Sequence, residues 1–145
     1  MKPLDDTRLA WRHLPGLPES LNQFRGFVLS HARAAGLPEA IQEKIDLVME
    51  EVLLNVFHYA FVGAPVAPVA VGCGMVPESS GFLVRVIDAG RPFNPLEEPS
   101  PDITLGIDER EIGGLGIFLA RELSRAMAYD RRENHNVLDI YFPER

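Results

Sequence analysis

The segment from Pro38 to Phe61 constrains the fold of this chain more than any other part of the sequence. Six apolar residues recur along it at the spacing of one helix face: Ile41, Ile45, Val48, Val52, Val56 and Tyr59. In the second half Leu53, Leu54 and Phe57 add apolar residues on the other faces, and a helix that is apolar all round is a buried helix. We therefore expect a long helix whose second half enters the core, with Asn55 either buried or facing a cleft.

Shorter segments on both sides of this helix predict the remaining elements. Strands are predicted over residues 7–14, 69–76, 82–87, 126–132 and 137–142, and further helices over 18–35 and 117–124. The last two strands flank Glu133–Asn136, a predicted hairpin turn. Residues 91–112 hold four prolines and six acidic residues without periodicity, which predicts a mobile loop or lid.

Length and composition limit the class of protein. At 145 residues the chain fits a single domain with one core, which we place at about residues 8–142. It has no apolar run long enough for a membrane span and no apolar N-terminal leader, so we expect a cytoplasmic protein that does not bind membranes. Its one cysteine, Cys73, excludes an internal disulfide and a thiolate metal cluster. A net charge of −7 favours a protein partner over nucleic acid.

Glu51 and Asn55 form the first polar motif, inside the long predicted helix. Residues four apart lie on the same helix face, so both side chains project toward one point. The carbonyl oxygen of Asn suits Mg²⁺, and a Glu one turn earlier could orient or deprotonate a nucleophile beside a γ-phosphate. The alternative is a surface Glu near a buried Asn that binds backbone groups.

Two further motifs contain glycine. Asp88-Ala89-Gly90 follows the clearest strand; Asp88 could accept a hydrogen bond from the exocyclic amine of adenine, while Gly90 would let a flat base approach the backbone. Gly113-Gly114-Leu115-Gly116 directly precedes a predicted helix and could direct backbone N–H groups at phosphates. Each motif also occurs as a simple turn or helix entry, so each is weak by itself.

Other common sites are not indicated. No P-loop pattern, kinase-type catalytic loop or G-x-S-x-G serine motif occurs in the sequence. The four histidines are far apart in sequence, and no two have the spacing of metal ligands. We interpret them as structural or surface residues.

Taken in order, Glu51-x-x-x-Asn55, Asp88-Ala-Gly90-Arg-Pro-Phe-Asn-Pro95 and Gly113-Gly-Leu-Gly116 resemble the N, G1 and G2 boxes of the GHKL ATPase superfamily. Within it the chain resembles the bacterial anti-sigma-factor serine/threonine kinases, the RsbW-like group, over about residues 10–142. The segment from Tyr129 to Leu138 contributes to this resemblance. It implies a Bergerat-type α/β two-layer sandwich, in which three helices cover one face of a mixed, mainly antiparallel sheet.

The resemblance also implies residue roles. Glu51 would be the general base that activates a serine or threonine, Asn55 would bind Mg²⁺, and Asp88 would bind the adenine amine. Gly90 and the glycine box, Gly113, Gly114, Leu115 and Gly116, would shape the ATP site. Arg110 is a further candidate for contact with the γ-phosphate.

The implied activity is ATP-dependent phosphorylation of a STAS-type anti-sigma-factor antagonist. The resemblance leaves open whether the protein also sequesters a sigma factor and whether it forms a homodimer through its sheet. The alternative function is a non-catalytic switch, in which ATP or ADP sets the affinity for a partner protein.

Overall fold

The computed structural model of the protein describes residues 6–77, 81–97 and 114–145. The helices are α1 (Leu21–Ala34), α2 (Glu39–Tyr59) and α3 (Gly114–Leu123). The strands are β1 (Ala10–Pro15), β2 (Pro68–Val76), β3 (Gly81–Asp88), β4 (Ala126–Arg132) and β5 (His135–Pro143). Short 3₁₀ turns at Pro18–Ser20 and Pro95–Glu97 complete the described elements.

The strands form one sheet in the order β1-β2-β3-β5-β4, and all four pairings are antiparallel. Paired residues share a face of the sheet, so Val71, Val86 and Leu138 line up on the same side. Their side is the one that packs against buried residues of all three helices, including Phe24 of α1, Leu53 of α2 and Ala120 of α3. The expected class, an α/β sandwich with three helices on one face of the sheet, is confirmed.

The opposite face of the sheet carries a smaller apolar cluster. Leu9, Val76 and Leu83 are buried there, with Trp11 and Tyr141 packed against them. On the same face Arg85 is buried and its guanidinium binds the Asp139 carboxylate through Nε–Oδ1 at 2.7 Å and Nη2–Oδ2 at 2.9 Å. A buried cation requires such a paired, hydrogen-bonded carboxylate.

Several predicted boundaries differ from the structure by one to three residues. β1 begins at Ala10 rather than at residue 7, because Leu9 N–H donates to the Asp6 carbonyl and closes a turn before it. α3 begins at Gly114 rather than at residue 117, so Gly114 and Gly116 belong to its first turn and do not precede it. The β4–β5 hairpin turn is shorter than predicted, with Glu133 and Asn134 both at positive φ. Positive φ at both central residues is typical of the type I′ turn, whose twist matches that of paired strands.

In the part of the chain that the structure describes, no helix combines the length and apolar character needed to cross a bilayer.

Candidate functional site

A pocket lies between the second half of α2, the ends of β3 and β5, and the segment that follows β3. Its polar lining residues are Asn55, Asp88, Tyr129 and Asn136. Its apolar lining comes from the same elements and from α3, and includes Val52, Val56, Val86, Phe93, Ile117 and Leu138. A mainly apolar cleft with a few convergent polar groups is the usual form of a small-molecule site.

Asp88 occupies the end of β3 and is only 5% exposed. Its Oδ1 accepts hydrogen bonds from the Gly90 backbone N–H and from Asn136 Nδ2, both at 2.9 Å. Its Oδ2 receives no hydrogen bond from any residue that the structure describes. Burial raises the pKa of this carboxyl, while the bonds from Asn136 and Gly90 and the charge of Arg131 act in the opposite direction. Asp88 lines the pocket, and its Oδ2 has no donor among the described residues, so this oxygen can accept a hydrogen bond from a ligand.

Gly90 is held against the C-terminal end of α2. A Cβ at this position would collide with the Ala60 carbonyl oxygen, and the next residue, Arg91, donates its backbone N–H to that oxygen at 2.9 Å. The Gly90 carbonyl accepts a bond from Arg131 Nη1 at 2.8 Å. The structure thus gives a packing reason for this glycine, whereas the sequence suggested close approach to a flat base.

Asn55 lies in the pocket, one helical turn after Glu51. It is 6% exposed, and its side chain makes no hydrogen bond with any described residue. Its amide lines the pocket and keeps its hydrogen-bonding capacity with respect to the described residues, so this group is suited to a ligand or a hydrated cation. The predicted burial of Asn55 is confirmed.

Glu51 is partly buried and lies where α2 meets α3, beside the pocket but not among its lining residues. A Cβ at Gly116 would collide with Glu51 Oε2, so the glycine leaves room for the carboxylate. Burial raises the pKa of Glu51, and the neighbouring charge of Glu50 adds to the effect. A carboxylate with a raised pKa is a stronger proton acceptor.

The remaining predicted site residues can be placed only in part. Arg110 and Gly113 lie outside the described residues, as does most of the predicted lid, of which the structure describes residues 91–97. Gly114 and Leu115 are in the first turn of α3. Among residues 6–77, 81–97 and 114–145, no cluster of three or more His, Cys, Asp or Glu side chains could hold a metal ion.

No role of its own was predicted for Asn136 from the sequence, although its side chain lies at the centre of the pocket's hydrogen bonds. The available signal was an Asn directly before the apolar residues of a predicted strand. Its significance depends on the β3–β5 register, which pairs Asn136 with Asp88.

A three-helix sandwich with a mainly apolar cleft beside α2, into which a few polar groups converge, is typical of a domain that binds a small molecule. The family model described as the histidine kinase-like ATPase domain matches residues 14–142, so the chain belongs to that family. It carries an ATP-binding, kinase-like domain.

The chain is also similar to the serine/threonine-protein kinase BtrW of Bordetella bronchiseptica, strain ATCC BAA-588 / NCTC 13252 / RB50. The two are 27% identical over 96 residues, and this match spans 66% of the chain and 66% of the relative.

Proposed function

We propose that the protein is an ATP-dependent protein serine/threonine kinase that phosphorylates a STAS-type anti-sigma-factor antagonist. The observation that carries the proposal is Glu51. A module that only binds ATP needs a metal ligand on α2, such as Asn55, but it does not need a partly buried carboxylate one turn earlier. Membership of the ATPase family and similarity to a serine/threonine-protein kinase support the same activity.

In this proposal, different residues of the site bind different parts of the nucleotide. Asp88 accepts a hydrogen bond from the adenine amine at Oδ2, and the N-terminal turn of α3 faces the phosphates. Asn55 holds Mg²⁺ through its carbonyl oxygen, which fits a buried amide that has no partner among the described residues. When bound, Mg²⁺ supplies positive charge that offsets the phosphate oxygens.

Glu51 acts as the general base. Its carboxylate accepts the proton of a serine or threonine hydroxyl on the partner protein, and the hydroxyl oxygen forms a bond to the γ-phosphorus. The bond between that phosphorus and the β–γ bridging oxygen breaks, and ADP leaves with the electron pair. The products are ADP and a phosphorylated partner, and the proton remains on Glu51 until solvent removes it.

One observation favours the switch as a second candidate. The Glu51 carboxylate packs against the first turn of α3 and does not line the pocket. A carboxylate in that place could couple bound nucleotide to the position of α3, and so to partner affinity, without any proton transfer.

The test uses [γ-³²P]ATP, Mg²⁺ and purified STAS-domain proteins from the same genome. The kinase proposal predicts label on a serine or threonine of one of them, identified by mass spectrometry. Because a contaminating kinase could also supply label, Asp88→Asn protein prepared in parallel serves as the control and should lose most of the signal. Partner binding that differs between ATP and ADP, with no label transferred, would support the switch and contradict the kinase.

A further inference from the structure

Asn136 uses its complete hydrogen-bonding capacity inside the pocket. The side chain has two amide hydrogens and one carbonyl oxygen with two lone pairs. Nδ2 donates to Asp88 Oδ1 at 2.9 Å and to the Arg91 carbonyl oxygen at 2.8 Å. Oδ1 accepts from the Tyr129 hydroxyl at 2.6 Å and from the Phe93 backbone N–H at 3.2 Å. Asn136 is 5% exposed, so few water molecules reach it.

These four partners permit only one orientation of the amide. If it rotated by 180°, Nδ2 would face the two donors, Tyr129 and Phe93, and Oδ1 would face the carboxylate of Asp88 and the carbonyl of Arg91. The contacts with Asp88, Arg91 and Phe93 would become repulsive or unmade, and only the Tyr129 hydroxyl, which can accept as well as donate, could keep its bond. Unmade bonds of buried groups are costly. The orientation of Asn136 is therefore fixed by donors on one side and acceptors on the other.

The fixed amide determines which part of Asp88 is available to a ligand. Asn136 Nδ2 and the Gly90 N–H both bind Oδ1, which leaves Oδ2 as the remaining acceptor. An acceptor oxygen attracts an exocyclic amine and repels a carbonyl oxygen in the same place. Adenine has an amine at C6, whereas hypoxanthine and guanine have a carbonyl there.

We infer that Asn136 is a positioning residue that sets the base selectivity of the pocket by fixing the Asp88 carboxylate, without itself touching the base. This inference rests on the proposed nucleotide site. It adds to the proposed function because it assigns the discrimination between 6-amino and 6-oxo purines to Asn136, a residue whose hydrogen bonds are all made within the protein.

The same amide connects base recognition to the segment after β3. Its bonds to Arg91 and Phe93 hold the first residues of that segment, and the Phe93 ring stacks on Tyr59 of α2 with 5.6 Å between ring centroids. Removal of the Asn136 side chain would therefore disturb the Asp88 carboxylate and the segment after β3 together. A substitution that keeps the shape of Asn136 is required to separate them.

Asn136→Asp meets this requirement. The new carboxylate keeps an acceptor for Tyr129 and Phe93, but it places an oxygen opposite Asp88 Oδ1 where Nδ2 stood. Two facing carboxylates repel each other, so Asp88 either rotates or takes up a proton. Rotation would move Oδ2 away from the base, and a proton shared between the two carboxyl groups would lower the negative charge on Oδ2, so in both cases the acceptor offered to the base is weaker.

The experiment measures equilibrium binding of ATP and of inosine 5′-triphosphate, which has a carbonyl in place of the C6 amine. We expect wild type to prefer ATP by at least about tenfold, the value of one hydrogen bond to a charged group. Asn136→Asp should lose most of that preference. Asn134→Asp makes the same chemical change in the exposed hairpin turn, two residues away, and should keep the wild-type ratio.

Equal weakening of both nucleotides by Asn136→Asp, with an unchanged ratio, would overturn the inference and leave the proposed function standing. If wild type bound neither nucleotide, the proposed function itself would be refuted. Should Asn136→Asp fail to fold, Tyr129→Phe removes one bond to Asn136 Oδ1 and is expected to lower the ratio a few-fold. An unchanged ratio in Tyr129→Phe would then overturn the inference.

Discussion

Replacing Asp88 by Asn separates the cost of burying this carboxylate from its contribution to ATP binding. The side chain is 5% exposed, and its two protein hydrogen bonds both end on Oδ1. An amide oxygen in the same place can accept both bonds, so the contacts within the protein are retained. The substitution also removes a charge whose burial is unfavourable, as the raised pKa of Asp88 indicates.

The expected effects on stability and on binding therefore differ. The free energy of unfolding of the ligand-free protein should change by less than about 1 kcal/mol, and it should rise if the removed burial cost dominates. ATP binding should lose a hydrogen bond to a charged group, about 1.5–3 kcal/mol. That loss corresponds to about 10- to 150-fold in Kd, and the new amide N–H facing the adenine amine adds to it.

Urea unfolding and isothermal titration with ATP on the same samples measure the two quantities. A loss of ATP affinity together with a large loss of stability would show that Asp88 acts through the fold. Unchanged ATP affinity would refute its assignment to the base. Either result contradicts the reasoning, because the pocket geometry predicts weaker binding in a stable protein.

Three further substitutions test neighbouring parts of the site. Gly116→Ala places a Cβ against the carboxylate end of the flexible Glu51 side chain. Because Ala also favours the helix, stability measured in urea should change by less than about 1 kcal/mol, while the rate of phosphoryl transfer should fall about tenfold. Unchanged transfer would contradict the placement of Glu51. Gly90→Ala collides instead with the backbone carbonyl of Ala60, which cannot move aside, so the same unfolding assay should show a loss of about 2–3 kcal/mol; a neutral result would disprove the close packing. Glu50→Gln removes a charge that raises the pKa of Glu51, so the acid limb of the pH–rate profile should move to lower pH; a shift to higher pH, or none, would indicate another base.

Much of the fold could be predicted from the sequence because its elements have strong periodicity. The apolar repeat of the long helix gave its position, and α2 spans Glu39–Tyr59 within the predicted 38–61. The strand over 126–132 has the predicted bounds. The start of α3 was placed too late because glycine is a poor helix former, so Gly114 and Gly116 were interpreted as lying before the helix, whereas they belong to its first turn.

Only those site residues that stand out in the local sequence pattern could be predicted. Asn55 was recognisable because it is a polar residue within a strongly apolar helix, and Asp88 because it is a polar residue at the end of a strongly apolar strand. The role of Asn136 was not recognisable, because β5 pairs with β3 while β4 occupies the edge, and sequence order alone does not place Asn136 opposite Asp88. The packing reason for Gly90 could not be predicted either, because it depends on how closely the turn after β3 approaches the Ala60 carbonyl at the end of α2.

In the proposed function, Glu51 is the residue that makes this ATP-binding domain a kinase. The most direct measurement is the single-turnover rate constant of phosphoryl transfer at saturating ATP in Glu51→Gln protein relative to wild type, with the Kd for ATP determined on the same samples. Glu43→Gln, an exposed carboxylate on the same helix, is the matched control. We predict that Glu51→Gln lowers the rate constant by about 10²–10⁴-fold, the usual contribution of a general base, with little change in Kd, and that Glu43→Gln changes neither. Equal rate constants in wild type and Glu51→Gln would contradict the account.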